Sequence, residues 1–186
     1  MSNASTTYTT QNELLLNNLM DYYNSTGLLD KMLSIITGES AISLRIVDWF
    51  VTNYSKKYWT QYAVNGNRLK VYVDYKLKLK AYSKRRFDPF CRWDRITIPY
   101  HNNTFIETTI GQLNFFKWAL ENKIVDYIEE NYATIEKDMN NRNSTSRKKE
   151  VVGVDNTKTR KKREELSISA SKSIKKEDVD IVVSFN

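Results

Sequence analysis

The sequence predicts an α+β fold, with N-terminal helices, two β-hairpins and a C-terminal helical tract, followed by a disordered basic tail. Apolar residues recur at helical spacing at both ends of the first 140 residues, and Asn65-Gly66 separates two strand-like runs. The composition then changes sharply, since no aromatic residue occurs between 141 and 178. We therefore expect one domain over 1–140, a disordered basic linker over 141–178, and over 179–186 either a frayed chain end or a docking strand.

Three helices are predicted in the N-terminal third. Thr10 and Glu13 have the spacing of a capping box before apolar residues that recur over 11–23, and a second apolar stripe runs from 28 to 36. Ser40 is the expected N-cap of a third helix that extends to about residue 54. Large aromatic side chains in and after this helix are assigned to the core: Trp49, Phe50, Tyr54, Trp59 and Phe90.

The first hairpin is predicted over residues 58–74, because Asn-Gly supplies the positive φ angles of a type I′ turn. The pattern from Leu69 to Leu79 fits both a strand and a helix, and the choice is open for residues 75–84. We favour a strand to about Asp74 and then a helix that Asp74 caps and that ends before Asp88-Pro89, since a residue preceding proline disfavours the helical region.

A second hairpin is expected from strands over 95–100 and 104–108, with His101 at its tip. Thr109 and Gln112 then have capping-box spacing, and a helical tract follows to about Asn140 with a break at 121–123.

Positive charge is concentrated in the middle of the chain. The protein has a net charge of +7, and residues 45–95 hold 13 Lys/Arg against 4 Asp/Glu. Aromatic residues are interspersed among these cations, a combination typical of nucleic-acid-binding surfaces. The alternative is a solvated sheet edge that its lysines protect from aggregation.

The predicted nucleic-acid site has three parts. Phosphate contacts are assigned to Lys76, Lys80, Lys84, Arg85, Arg86, Arg92 and Arg95. Stacking on bases is assigned to Tyr75 and Tyr82. Added affinity without sequence choice is assigned to a cluster in the tail, namely Lys158, Arg160, Lys161, Lys162 and Arg163.

The sequence contains no recognisable set of catalytic or metal-binding residues. Cys91 and His101 are the only residues of their kinds, which excludes a four-ligand Cys/His zinc site within one chain. No phosphate-binding glycine motif occurs. We therefore expect no cofactor, no metal and no enzymatic activity. A single cysteine and the lack of a long apolar run predict an intracellular protein without a signal peptide or membrane span.

Several segments resemble uncharacterised proteins of nucleocytoplasmic large DNA viruses, the giant viruses. They are residues 42–57 (ISLRIVDWFVTNYSKK), 79–92 (LKAYSKRRFDPFCR), 108–119 (TTIGQLNFFKWA) and 161–185. The resemblance implies a viral origin and a site of action in the host cytoplasm, at a viral factory, or in the virion, with the nucleus accessible through the basic tail. It implies no mechanism and assigns no role to any residue.

Taken together, these patterns predict a non-enzymatic viral protein that binds DNA or RNA with little sequence preference. The alternative is a structural or adaptor protein of the virion, whose basic face binds an acidic protein and whose last residues pair with a neighbouring strand.

Overall fold

Helices and two antiparallel hairpins make up the domain, which confirms the α+β class. The structure, a computed structural model, describes residues 10–92, 95–101, 104–149 and 176–178. The elements in chain order are α1 (Gln11–Thr26), α2 (Leu29–Thr37), α3 (Leu44–Trp49), a π-helical turn (Phe50–Tyr54), α4 (Ser55–Lys57), β1 (Gln61–Val64), β2 (Asn67–Lys70), α5 (Val71–Phe87), β3 (Arg95–Pro99), β4 (Thr104–Thr109), α6 (Ile110–Glu121), α7 (Ile124–Glu130), α8 (Tyr132–Lys149) and β5 (Lys176–Asp178).

The predicted capping box at the start of α1 is confirmed. Thr10 Oγ1 accepts a hydrogen bond from the backbone N–H of Glu13, and Glu13 Oε2 accepts one from the backbone N–H of Thr10. The two residues thus satisfy N–H groups that have no partner within the helix. The expected second helix is also present as α2.

The third helix begins later than predicted and changes its winding. Its N-cap is Ser43, not Ser40: Ser43 Oγ accepts from the N–H of Ile46. Ser40 instead accepts from the N–H of Ile42 at 3.1 Å, a local turn that holds Ile42 outside the helix. After Trp49 the backbone widens into the π-helical turn before α4 completes the segment.

The first hairpin has the predicted turn but a shorter second strand. Asn65 and Gly66 both have positive φ, 49° and 80°, as a type I′ turn requires. The second strand ends at Lys70, and α5 begins at Val71, so the predicted strand to Asp74 is wrong. Val71 and Tyr75 are buried four residues apart on one side of α5, which shows that the helical spacing in this ambiguous stretch determines its structure.

Asp74 does not cap α5. Its carboxylate accepts a hydrogen bond from Trp118 Nε1 on α6 and so joins the two helices. The expected end of α5 is confirmed, since the helix ends at Phe87 before Asp88-Pro89. A kink at Ser83, where φ is 67°, separates the last turn from the rest of the helix.

The second hairpin is confirmed and gains a third strand. β3 pairs antiparallel with β4, with Arg95 opposite Thr109 and Pro99 opposite Phe105. β5 pairs antiparallel with the other edge of β4, with Lys176 opposite Ile106.

Helix α8 extends past residue 140, where the domain is predicted to end. Residues 141–149, within the predicted linker, continue α8, and 176–178 form β5. The composition had indicated a linker because these residues are polar, and polarity alone does not prevent a helix from continuing beyond its buried part. The predicted docking strand over 179–186 lies outside the described residues.

Helix α6 forms the centre of the core. Apolar side chains on all its sides are buried, including Leu113, Phe115, Phe116 and Trp118. A helix that is apolar all round requires partners on every side, and α6 contacts α1, α5, α7 and β4. Because α6 fixes the buried side of α5, it also determines which side chains of α5 face solvent.

Candidate nucleic-acid interface

The exposed side of α5 combines apolar and basic side chains. Val73 and Leu77 are 44% and 60% exposed, and Lys76 and Lys80 are exposed beside them. Positions 73, 76, 77 and 80 follow the i, i+3, i+4, i+7 spacing of one helix face. These four residues, with Tyr72 and Leu79, line an open groove.

Helix α4 and the residues after it extend this face with aromatic groups. Lys56 Nζ lies 5.5 Å from the centre of the Tyr72 ring. Trp59 is 80% exposed, and the carbonyl of the next residue, Thr60, accepts from the N–H of Val71. Trp59 therefore lies next to the first turn of α5. We call this set the α5 surface: Lys56, Trp59, Tyr72, Val73, Lys76, Leu77 and Lys80.

The α5 surface carries uncompensated positive charge. Among the described residues, Lys56, Lys76 and Lys80 form no ion pair. The acid nearest in sequence to Lys76 and Lys80 is Asp74, which is half-buried and bonded to Trp118. Three ammonium groups without an ion pair, on a surface that also holds the exposed Trp59, favour an anionic ligand with planar groups.

The other cations predicted to bind phosphate lie elsewhere. Lys84 pairs with Asp88 at 3.4 Å, beyond the kink at Ser83. Arg86 donates to Gln11 Oε1 at 3.2 Å, and Arg95 pairs with Glu107 at 3.0 Å. The structure therefore does not bring the predicted set together as one surface.

The remaining predicted phosphate contacts are two arginines and the tail cluster. Arg85 and Arg92 are both exposed, in the last turn of α5 and in the loop that follows it. The tail cluster at 158–163 lies outside the described residues.

The predicted stacking tyrosines both lie on the side of α5 that packs against the core. Tyr75 is 7% exposed, and its ring lies 5.9 Å from that of Trp118 and 6.0 Å from that of Phe87, so it is not available to bases and its assignment is corrected. Tyr82 is half-buried, and its ring stacks on that of Phe87 at 6.0 Å, so Phe87 covers one face of it.

Trp59 was assigned to the core, and this prediction is wrong. Its backbone adopts the left-handed conformation with φ of 49° directly after α4, and its side chain faces solvent. Two basic residues and two aromatic residues in the run Lys56-Lys57-Tyr58-Trp59 were the available signal. Left-handed backbone at a tryptophan is rare, so no sequence pattern would indicate it.

A buried carboxylate on α8 holds α4 in place. Asp138 Oδ1 accepts from Lys57 Nζ at 2.8 Å and from the Tyr58 hydroxyl at 3.1 Å, and Oδ2 accepts from Trp49 Nε1 at 3.2 Å. The side chain of Asp138 is only 6% exposed. Burial by itself raises the pKa of Asp138, but the three hydrogen bonds outweigh it, and the pKa lies below its ordinary value.

Replacement of Asp138 is expected to make the melting temperature depend less on pH in the acid range. Since the pKa is lower in the folded state, the ionised carboxylate stabilises the fold above its ordinary pKa of about 4, and this contribution is lost as the pH falls. We expect Asp138→Asn to lower the melting temperature at pH 7, with a difference from wild type that shrinks below about pH 4. Thermal unfolding across this range measures it. A difference that stays constant with pH would contradict the assignment.

Cys91 and His101 do not form a shared site. Cys91 follows the turn at Asp88, whereas His101 Nε2 lies 3.3 Å from Asp30 Oδ2 on α2. Among the described residues, no group of three or more His, Cys, Asp or Glu is arranged to hold a metal ion. The same part of the chain has no helix with the length and hydropathy of a membrane span.

Comparison with known proteins identifies relatives of undetermined activity. Residues 1–186 match the model of a family of unknown function, DUF7197. An uncharacterized protein of Acanthamoeba polyphaga mimivirus is 47% identical over 128 residues, which cover 64% of this chain and 49% of the relative. The match thus spans about half the length of that relative. The resemblance to an uncharacterised giant-virus family is confirmed at this level. No solved structure matches.

Proposed function

The chain belongs to the family of unknown function DUF7197, and we propose that it binds nucleic acid with little sequence preference through the α5 surface. The observation that supports this function is an exposed tryptophan, Trp59, just before the hairpin that leads into α5, together with Lys56, Lys76 and Lys80, none of which is ion-paired within the described part of the chain. Lysines attract phosphates without reading base edges, which accounts for little sequence choice. The proposed role requires no enzymatic activity and no cofactor.

The basic tail contributes to the same binding in this proposal. Its cluster at 158–163 adds cations that release counterions from nucleic acid without selecting a sequence. We also propose that the protein acts in a viral factory or in the virion core, with nuclear entry through the tail as the alternative; the mimivirus relative supports the viral setting alone.

Charge reversal on α5 is expected to weaken binding to a labelled mixed-sequence oligonucleotide. The logarithm of the association constant should fall linearly with the logarithm of salt concentration. The double variant Lys76→Glu with Lys80→Glu should make this fall less steep, reducing the magnitude of the slope by roughly 1.5, because each phosphate contact contributes about 0.7 to 0.9. Fluorescence anisotropy of the full chain from about 50 to 200 mM salt measures both quantities.

The matched control reverses two exposed lysines outside the α5 surface, Lys123→Glu with Lys137→Glu. It makes the same change in net charge and should weaken binding less, with little change in slope. Equal effects of the two double variants would contradict a localised site. Absence of binding at low salt would refute the proposed function.

A second candidate function is that of a virion adaptor that binds an acidic protein through the same surface. The exposed Val73 and Leu77 favour it, because apolar groups within a charged rim are common at protein interfaces. An adaptor would show no binding to DNA or RNA in the salt titration, which separates the two functions.

A further inference from the structure

We infer that the α5 surface recognises single-stranded nucleic acid in preference to duplex, by stacking a base on Trp59. This inference rests on the proposed function and names the class of nucleic acid. Its basis is one large aromatic side chain, Trp59, which is 80% exposed and directly precedes Thr60, whose carbonyl is bonded to the first residue of α5.

An exposed tryptophan makes different contacts with a duplex and with a single strand. In a duplex the bases are stacked on one another, so a side chain outside the helix meets mainly the sugar-phosphate backbone. In a single strand each base has a free face, and stacking on an aromatic side chain favours binding whatever the base. An exposed tryptophan beside cations therefore fits the single strand.

The apolar residues of the α5 surface also favour a single strand over a duplex. Val73 and Leu77 are exposed between the lysines, and Leu77 is 60% exposed. These side chains offer no hydrogen bond to a phosphate. They can cover the apolar face of an unstacked base, which a duplex does not present at its exterior.

The test compares the full chain on a mixed-sequence single strand of about 16 nucleotides and on the same sequence as a duplex. We expect tighter binding to the single strand. Trp59→Ala should weaken single-strand binding by roughly 5- to 150-fold and leave duplex binding unchanged, whereas Trp59→Phe should retain most of the affinity because its ring still stacks. Quenching of tryptophan fluorescence by the single strand should be smaller in Trp59→Phe.

The control is Leu14→Ala, which removes an exposed apolar side chain from α1, outside the α5 surface. It should change neither the affinity for the single strand nor that for the duplex. The melting temperatures of all variants should match that of wild type. Equal binding of both forms, or no effect of Trp59→Ala, would overturn the single-strand inference while leaving the proposed function intact. Failure to bind either form would overturn both.

Discussion

Phe87→Ala is expected to destabilise the protein by about 3–5 kcal/mol, the range measured for large aromatic residues truncated in cores. Phe87 is fully buried between α5 and α6. Its ring contacts Phe115 and Trp118 edge-on, at 5.8 and 5.7 Å, and Tyr82 stacks on it. Truncation loses these contacts and leaves a cavity among the three neighbouring rings. Urea unfolding followed by circular dichroism measures the change.

Phe87→Leu is the matched control, since it keeps an apolar side chain of intermediate size and should cost clearly less. Both variants should retain the urea m-value of wild type if unfolding stays two-state. A loss below about 1 kcal/mol for Phe87→Ala would show that the α5–α6 contact does not carry the stability assigned to it.

Gly111→Ala is expected to destabilise by about 1–3 kcal/mol, the range for adding atoms to a well-packed core. A Cβ atom at position 111 would lie 2.9 Å from the carbonyl oxygen of Asp88 and 3.0 Å from that of Arg85. Both oxygens belong to the backbone, so the close contacts cannot be relieved by the movement of a side chain. The first turn of α6 and the end of α5 would have to separate.

The sign of the Gly111 result is itself decisive. In an unconstrained helix, glycine to alanine stabilises by about 1 kcal/mol. A higher midpoint in urea for Gly111→Ala would therefore exclude the close approach of the two helices. A lower midpoint together with unchanged m would confirm it.

Local signals in the sequence predicted most element boundaries. The capping box at Thr10, the Asn65-Gly66 turn and the stop at Asp88-Pro89 each depend on a few neighbouring residues, and each is present in the structure. The start of α5 was missed because residues 71–79 satisfy both periodicities. Burial of Val71 and Tyr75 against other elements decides between them, and such contacts are not local.

The candidate site was predicted only in part. Composition identified the basic and aromatic region, and Lys76 and Lys80 are on the α5 surface. Tyr75 was predicted to be exposed, because a tyrosine can lie either in a core or at a surface and only the packing of α6 buries this one. Exposure of Trp59 depends on a single left-handed residue at the end of α4.

The strand β5 has a consequence for self-association. By pairing with β4, it occupies an edge that would otherwise offer unpaired backbone groups to a second molecule. Within the described part of the chain, β5 covers residues 104–106 of β4, and β3, whose last residue is Pro99, forms the other edge of the sheet. Proline has no N–H to donate and hinders the addition of a further strand at its position. Both features reduce the number of backbone groups to which a second molecule could pair.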